Sequence, residues 1–189
     1  MYKRQFLSND NELIEKSNES FEIDSKNEDM ESIFIDIDND NDLDLYVVSG
    51  GNEFNNRSIE LADRIYLNDG KGNFKRDTQE DLQNYTISGK TVTEIDYDND
   101  GDSDIIIGNR IQTKKYPIHE PSIIYENISG KFYNNTYNIA PEFENFGIVN
   151  KVIKTDFNND GWDDFIAVGE WTNIGLFLNE NGKFRDISN

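Results

Sequence analysis

Asp96-Tyr-Asp-Asn-Asp-Gly-Asp-Ser-Asp104, run straight into Ile105-Ile-Ile107, is the stretch that decides the fold, because it occurs three times. The other copies are Asp36-Ile-Asp-Asn-Asp-Asn-Asp-Leu-Asp44 and Asp156-Phe-Asn-Asn-Asp-Gly-Trp-Asp-Asp164, so the spacing is 60 residues each time. A fixed period of this length marks a repeat architecture, in which each unit buries its apolar face against the next. Within the box, oxygen ligands recur at alternate positions of a tight loop, a pattern that suits a hard cation of calcium's size. Positions 1, 3, 5 and 9 are Asp36, Asp38, Asp40 and Asp44, then Asp96, Asp98, Asp100 and Asp104, then Asp156, Asn158, Asp160 and Asp164. Position 7 would offer its backbone carbonyl, which leaves the side chain free to vary among Asp42, Asp102 and Trp162. Position 6 must turn sharply; Gly101 and Gly161 do so without steric cost, and Asn41 tolerates the left-handed conformation. So many carboxylates in nine residues repel one another unless a cation offsets them. The expectation is up to three structural Ca2+ ions. Magnesium suits the box less well, because it takes fewer protein ligands and keeps its waters.

The box opens like the loop of an EF-hand but does not close like one. Position 12, where that loop carries a bidentate Glu, is Val47, Ile107 and Ala167. The continuation of each box is strand-like: Leu43-Asp-Leu-Tyr-Val-Val48, Asp104-Ile-Ile-Ile107 and Asp164-Phe-Ile-Ala-Val168 are short, rich in β-branched and aromatic residues and soon ended by Gly. Strands Ser32–Ile35, Thr91–Ile95 and Lys151–Thr155 are expected before each box. Hairpins with Gly/Asn turns are expected at residues 64–75, 123–133 and 175–185. Each unit is then four antiparallel strands, too small to bury a core alone. Sheets of this kind in series predict an all-β, partial β-propeller with calcium-binding loops. Its parts would be the end of a preceding blade (5–17) and blades at 30–77, 90–136 and 149–188, within one domain, 1–189. A ring usually needs four to eight blades, so a segment of a longer protein is expected.

Composition agrees and excludes much. The net charge of -20 comes from 38 acidic and 18 basic residues, and three divalent cations would offset six of those charges. Twelve Phe, nine Tyr and two Trp argue for a packed core rather than disorder. Such acidity disfavours nucleic acid and anionic membranes as partners. No run of about 18 apolar residues is present for membrane insertion. Cysteine is absent, which removes disulfides and thiolate chemistry, and the single histidine, His119, leaves no triad or histidine-metal cluster. An apolar h-region does not follow Met1–Gln5, so no signal peptide is read there.

The boxes and their flanking strands resemble the FG-GAP/VCBS repeat, the calcium-binding blade of integrin-α-like propellers, with Asn41 and Asn158 departing from the motif. The order Asp44-Leu-Tyr-Val-Val-Ser-Gly-Gly-Asn-Glu53, Arg64-Ile-Tyr-Leu-Asn-Asp-Gly70, Lys115-Tyr-Pro117 and Val168-Gly-Glu-Trp171 is similar to bacterial ASPIC/UnbV-type, CRTAC-like proteins. That resemblance implies an extracellular, periplasmic or surface-exposed protein and supplies no defined activity. The expected function is a non-catalytic scaffold that binds protein or glycan through its blade loops, as in adhesion. The alternative is a fragment of a propeller-type lyase or hydrolase. Long connections at 49–58 and 109–122 carry most of the loop chemistry. Arg110, Lys114 and Lys115 read as a solvated basic island. Trp171, Tyr116 and Phe54 are expected to pack between blades, with sugar stacking as the other possibility.

Overall fold

The computed structural model describes residues 4–9 and 12–188. Strands β1 (Gln5–Asn9) and β2 (Glu12–Lys16) pair as a two-stranded ribbon, and their connection and Met1–Lys3 lie outside the described residues. Three four-stranded antiparallel sheets come next, each a meander in chain order. The first is β3 (Asp29–Ile35), β4 (Asp44–Ser49), β5 (Arg64–Leu67) and β6 (Lys75–Asp77). The second is β7 (Gly89–Ile95), β8 (Asp104–Asn109), β9 (Ile123–Ile128) and β10 (Lys131–Asn134). The third is β11 (Ile148–Thr155), β12 (Asp164–Glu170), β13 (Gly175–Asn179) and β14 (Phe184–Asp186). The fold is all-β, built of propeller-like sheets.

Each acidic box is the connection of a first hairpin. The pairs that flank it are Ile35↔Asp44, Ile95↔Asp104 and Thr155↔Asp164. At the far end of the same hairpins the register shifts between Asp29/Glu31, Gly89/Thr91 and Val149/Lys151, so the bulge also recurs every 60 residues. These bulges extend the first strands beyond the bounds expected from sequence: an irregular pair breaks the apolar alternation, and pairing resumes on its other side.

The sheets stack face to face. The middle sheet is buried on both faces, and alternate residues of β8 serve the two sides, as the period of two in a strand requires. Ile105 and Ile107 join Ile35, Tyr46, Val48 and Ile65 of the first sheet, while Ile106 joins Val149, Val152, Phe165 and Phe177 of the third. This two-sided burial is why β8 reads as an unbroken apolar run.

Among the described residues, four short α-helices are not legible as such in the sequence. They are α1 (Glu19–Ile23), α2 (Glu80–Asn84), α3 (Thr136–Ile139) and α4 (Pro141–Glu144). Each contributes an apolar side chain or two to a core. Phe21 packs with Val47 and Tyr66, Leu82 enters the first inter-sheet core, and Ile139 and Phe143 enter the second. Among the described residues no helix is long and apolar enough to cross a membrane.

Candidate metal centres

The backbone of each box is set by two left-handed residues, not one. Position 6 has φ of 69° (Asn41), 90° (Gly101) and 88° (Gly161), as its residue types foretell. Position 4 is also left-handed, at 60° (Asn39), 59° (Asn99) and 59° (Asn159). Asn is among the few L-residues that adopt this conformation readily, which explains its presence there in all three copies.

This double turn aims backbone N–H groups at the carboxylates. Asp36 accepts from Asp40 N (3.2 Å) and Asn41 N (3.0 Å), and Asp156 accepts from Asp160 N (3.2 Å) and Gly161 N (3.0 Å). Asp96 accepts from Gly101 N (3.2 Å), and Asp98 from Asp100 N (3.3 Å). Position 5 accepts from position 7 each time: Asp40 from Asp42 N (3.0 Å), Asp100 from Asp102 N (2.9 Å) and Asp160 from Trp162 N (2.9 Å).

The Asp at position 9 has a second task. Asp44, Asp104 and Asp164 are buried at the first residue of β4, β8 and β12. One carboxylate oxygen of each accepts the N–H of position 2, from Ile37 (3.0 Å), Tyr97 (3.2 Å) and Phe157 (3.1 Å). The other accepts an N–H at or just beyond the end of the third strand, from Asn68 (2.8 Å), Asn127 (2.7 Å) and Asn179 (2.8 Å). Position 9 therefore staples its box to the third strand.

Those three Asn residues are functional positions that the box spacing does not reveal. Asn68 Nδ2 donates to the Leu43 carbonyl (3.1 Å), Asn127 Nδ2 to Ser103 (3.2 Å) and Asn179 Nδ2 to Asp163 (3.1 Å). Asn127 Nδ2 also reaches the Ile37 carbonyl in the preceding sheet's box (2.9 Å), and Asn179 Nδ2 reaches the Tyr97 carbonyl (2.8 Å). Their signal in the sequence is Asn68-Asp-Gly70, Asn127-Ile-Ser-Gly130 and Asn179-Glu-Asn-Gly182, but it reads first as a turn.

Two boxes gather carboxylates closely enough to share one ion. Ligand oxygens of Asp36, Asp38 and Asp40 lie within 4.8 Å of one another, as do those of Asp96, Asp98 and Asp104. With Ca–O distances of about 2.4 Å, oxygens on one calcium are at most about 5 Å apart. Burial, then Asp40 and Asp36, raises the Asp38 carboxyl above its ordinary range. Burial, then Asp100, does the same to Asp98. Burial pushes Asp104 up to about 8 against the pull of its two N–H partners. Asp42 Oδ1 and Asp96 Oδ1 are buried and have no hydrogen-bond partner. Crowded carboxylates and orphaned oxygens in an oxygen-only donor set fit a calcium ion.

The other predicted residues divide. Asp44 is turned inward on its N–H partners and stands outside the first trio, whereas Asp104 belongs to the second. Asp102 accepts a hydrogen bond from the Asn39 side chain of the neighbouring box. In the third box, Asn158 donates its amide to Asp160 Oδ2 (2.8 Å), so an N–H stands where the other boxes have carboxylate oxygen. Asp156, Asp160 and Asp164 form no such trio among the described residues, and Trp162 contributes its backbone N–H to Asp160.

At the opposite end of the sheets one expectation is corrected. Trp171 and Tyr116 are not buried between sheets: they are 84% and 55% exposed, while Phe54 is half-buried. Trp171 has φ of 61°, a left-handed backbone at the tight β12–β13 turn, and its indole lies out on the surface. The basic island is partly paired, with Arg110 Nη2 3.4 Å from Glu170 and Lys114 Nζ 3.1 Å from Asn55 Oδ1. His119 is half-buried beside the Glu120 carbonyl.

A family model described as an FG-GAP-like repeat matches residues 36–107, which hold the first two boxes and the strands between them. No curated protein matches the chain. Among solved structures, one reported for the recognition of non-reducing terminal N-acetylglucosamine by an Agrocybe aegerita lectin is similar at 17% identity, with a TM-score of 0.48. The similarity covers 80% of this chain and 36% of that one, so the chain spans about a third of that structure's length.

Proposed function

We propose that the chain is a calcium-stabilised, non-catalytic repeat scaffold, exported or displayed outside the cell, that offers its loops to a protein or glycan ligand in adhesion or recognition. The observation that carries this reading is the convergence of Asp36, Asp38 and Asp40, and of Asp96, Asp98 and Asp104, beside buried oxygens without a hydrogen-bond donor. Asp36, Asp38, Asp40 and Asp44, with the Asp42 carbonyl, would hold the first ion. Asp96, Asp98, Asp100 and Asp104, with the Asp102 carbonyl, would hold the second. Asp156, Asn158, Asp160 and Asp164, with the Trp162 carbonyl, would hold a weaker third. Bound calcium would neutralise the crowded carboxylates and so favour the folded chain by mass action. The FG-GAP-like match over residues 36–107 supports the repeat reading, and the resemblance of the sequence motifs to ASPIC/UnbV-type proteins motivates the extracellular setting.

The test is thermal unfolding in calcium, in magnesium and in chelator. A Tm that rises in calcium well beyond its value in magnesium is expected. At a hundred times the dissociation constant, one site adds about 2.7 kcal/mol. Equal Tm values in calcium and chelator would remove the metal from the proposal.

A further inference from the structure

The loops farthest from the boxes enclose a cleft of about 270 Å³ between the second and third sheets. Its walls come from Pro117 and His119 of the β8–β9 connection, Asn145 and Phe146 ahead of β11, and Trp171 and Thr172 of the β12–β13 turn. Three observations make this more than a crevice. First, a bulky residue with positive φ is a genuine outlier, and such outliers gather at ligand sites; here it sets the most exposed aromatic ring among the described residues at the cleft. Second, Trp171 Nε1 donates to the Tyr116 hydroxyl at 2.6 Å, which fixes two exposed rings against each other before any ligand arrives. Third, Thr172 Oγ1 is buried and has no hydrogen-bond partner. Phe146, held edge-on to Phe177 with centroids 5.6 Å apart, joins the cleft to the core.

The charge balance selects the ligand. Glu170 is the one carboxylate of the lining and already faces the Arg110 guanidinium, and no lysine or arginine belongs to the lining. With Glu170 paired, the cleft adds no free carboxylate to the pull of its ring on a cation, and it presents no lysine or arginine to an anion. What remains is an aromatic surface, an amide, a hydroxyl and an imidazole. This set matches a ring with an apolar C–H face and hydroxyls at its rim. The volume is below the usual range for drug-sized ligands, which suits a single ring.

We propose that the cleft walled by Trp171, Phe146, Asn145 and Thr172, with the Tyr116 hydroxyl holding the indole from outside the lining, is a subsite for a neutral sugar ring of a glycan. The inference rests on reading the chain as a binding scaffold, and it concerns the end of the sheets away from the metal boxes. The seven residues of β12 separate the two by about 20 Å.

The experiment is a printed array of neutral oligosaccharides, with titration calorimetry on the best binder, run in saturating calcium and in chelator. Uronate oligosaccharides and a trimethyl-lysine peptide serve as charged probes. Wild type is compared with Trp171→Asn, which suits a left-handed backbone, and with Tyr116→Phe, which removes only the hydroxyl that orients the indole. Expected are binding of a neutral glycan, a loss of at least about tenfold in Trp171→Asn, a smaller loss in Tyr116→Phe, and an unchanged calcium-dependent Tm in both. If Trp171→Asn unfolds, Tyr116→Phe decides. Absence of neutral glycan binding, capture of the charged probes alone, or indifference to both substitutions overturns the inference. A calcium-dependent Tm without glycan binding overturns the sugar subsite and leaves the metal scaffold standing; glycan binding without any calcium effect does the reverse.

Discussion

At the residue scale, the position-9 Asp joins two properties that substitution can separate. Asp104→Asn leaves one oxygen for two buried N–H groups, those of Tyr97 and Asn127. It should therefore cost about 1–3 kcal/mol in urea unfolding even in chelator, because one donor is stranded. Asp100→Asn, on an exposed side chain, should stay within about 0.5 kcal/mol of wild type in chelator and lose stability only relative to the calcium-bound form. Equal costs in chelator would deny the staple. Asp63 supplies a pH test away from the boxes. Burial raises its carboxyl from 3.8 to about 7, although Ser49 N and the Tyr46 hydroxyl both donate to it. A raised folded-state pKa contributes stability that is full below the unfolded value and lost as pH rises through the folded one. Wild type should thus lose stability relative to Asp63→Asn between about pH 4 and pH 7; parallel Tm curves for the two proteins would exclude this. The ligand spacing and the turn at position 6 are plain in the sequence, since each needs one residue type at one place. The left-handed Asn39, Asn99 and Asn159 are not, because Asn has several uses in a turn and the sequence does not say which is in force.

At the element scale, the strands are legible because the chain marks them with apolar runs that end in Gly or an acidic box. The helices are not. Each spans only four or five residues, too few to display a 3.6-residue period, and each exists because a neighbouring sheet receives one or two of its side chains. Phe143 of α4 is the clearest instance, with its ring edge-on to Phe165 and Phe177 at centroid distances of 4.9 and 5.4 Å. Phe143→Ala should cost about 3–5 kcal/mol, measured by chemical unfolding. A loss below about 1 kcal/mol would mean that α4 only decorates the core. The first strands look too short in the sequence for a related reason: the bulges at Asp29/Glu31, Gly89/Thr91 and Val149/Lys151 depend on the partner strand, and one strand's sequence does not contain them.

At the scale of the whole molecule, the repeat predicts stacked sheets, and sheets that share cores are what the chain forms. The character of its two ends is only half legible. Acidic boxes announce themselves, whereas the opposite end depends on how Trp171 leaves its strand, which a backbone angle decides. The Asn bridges between sheets have one more consequence. Asn127 and Asn179 grip the main-chain carbonyls of Ile37 and Tyr97, so these two bridges do not depend on which residue occupies position 2, while the Ile37 and Tyr97 side chains add apolar contact in the inter-sheet cores. A tandem duplication of one 60-residue unit would thus arrive already able to clasp its predecessor, and its exposed loops could diverge without loosening the joint. Such a lineage can lengthen by copying and gain new specificities by drift.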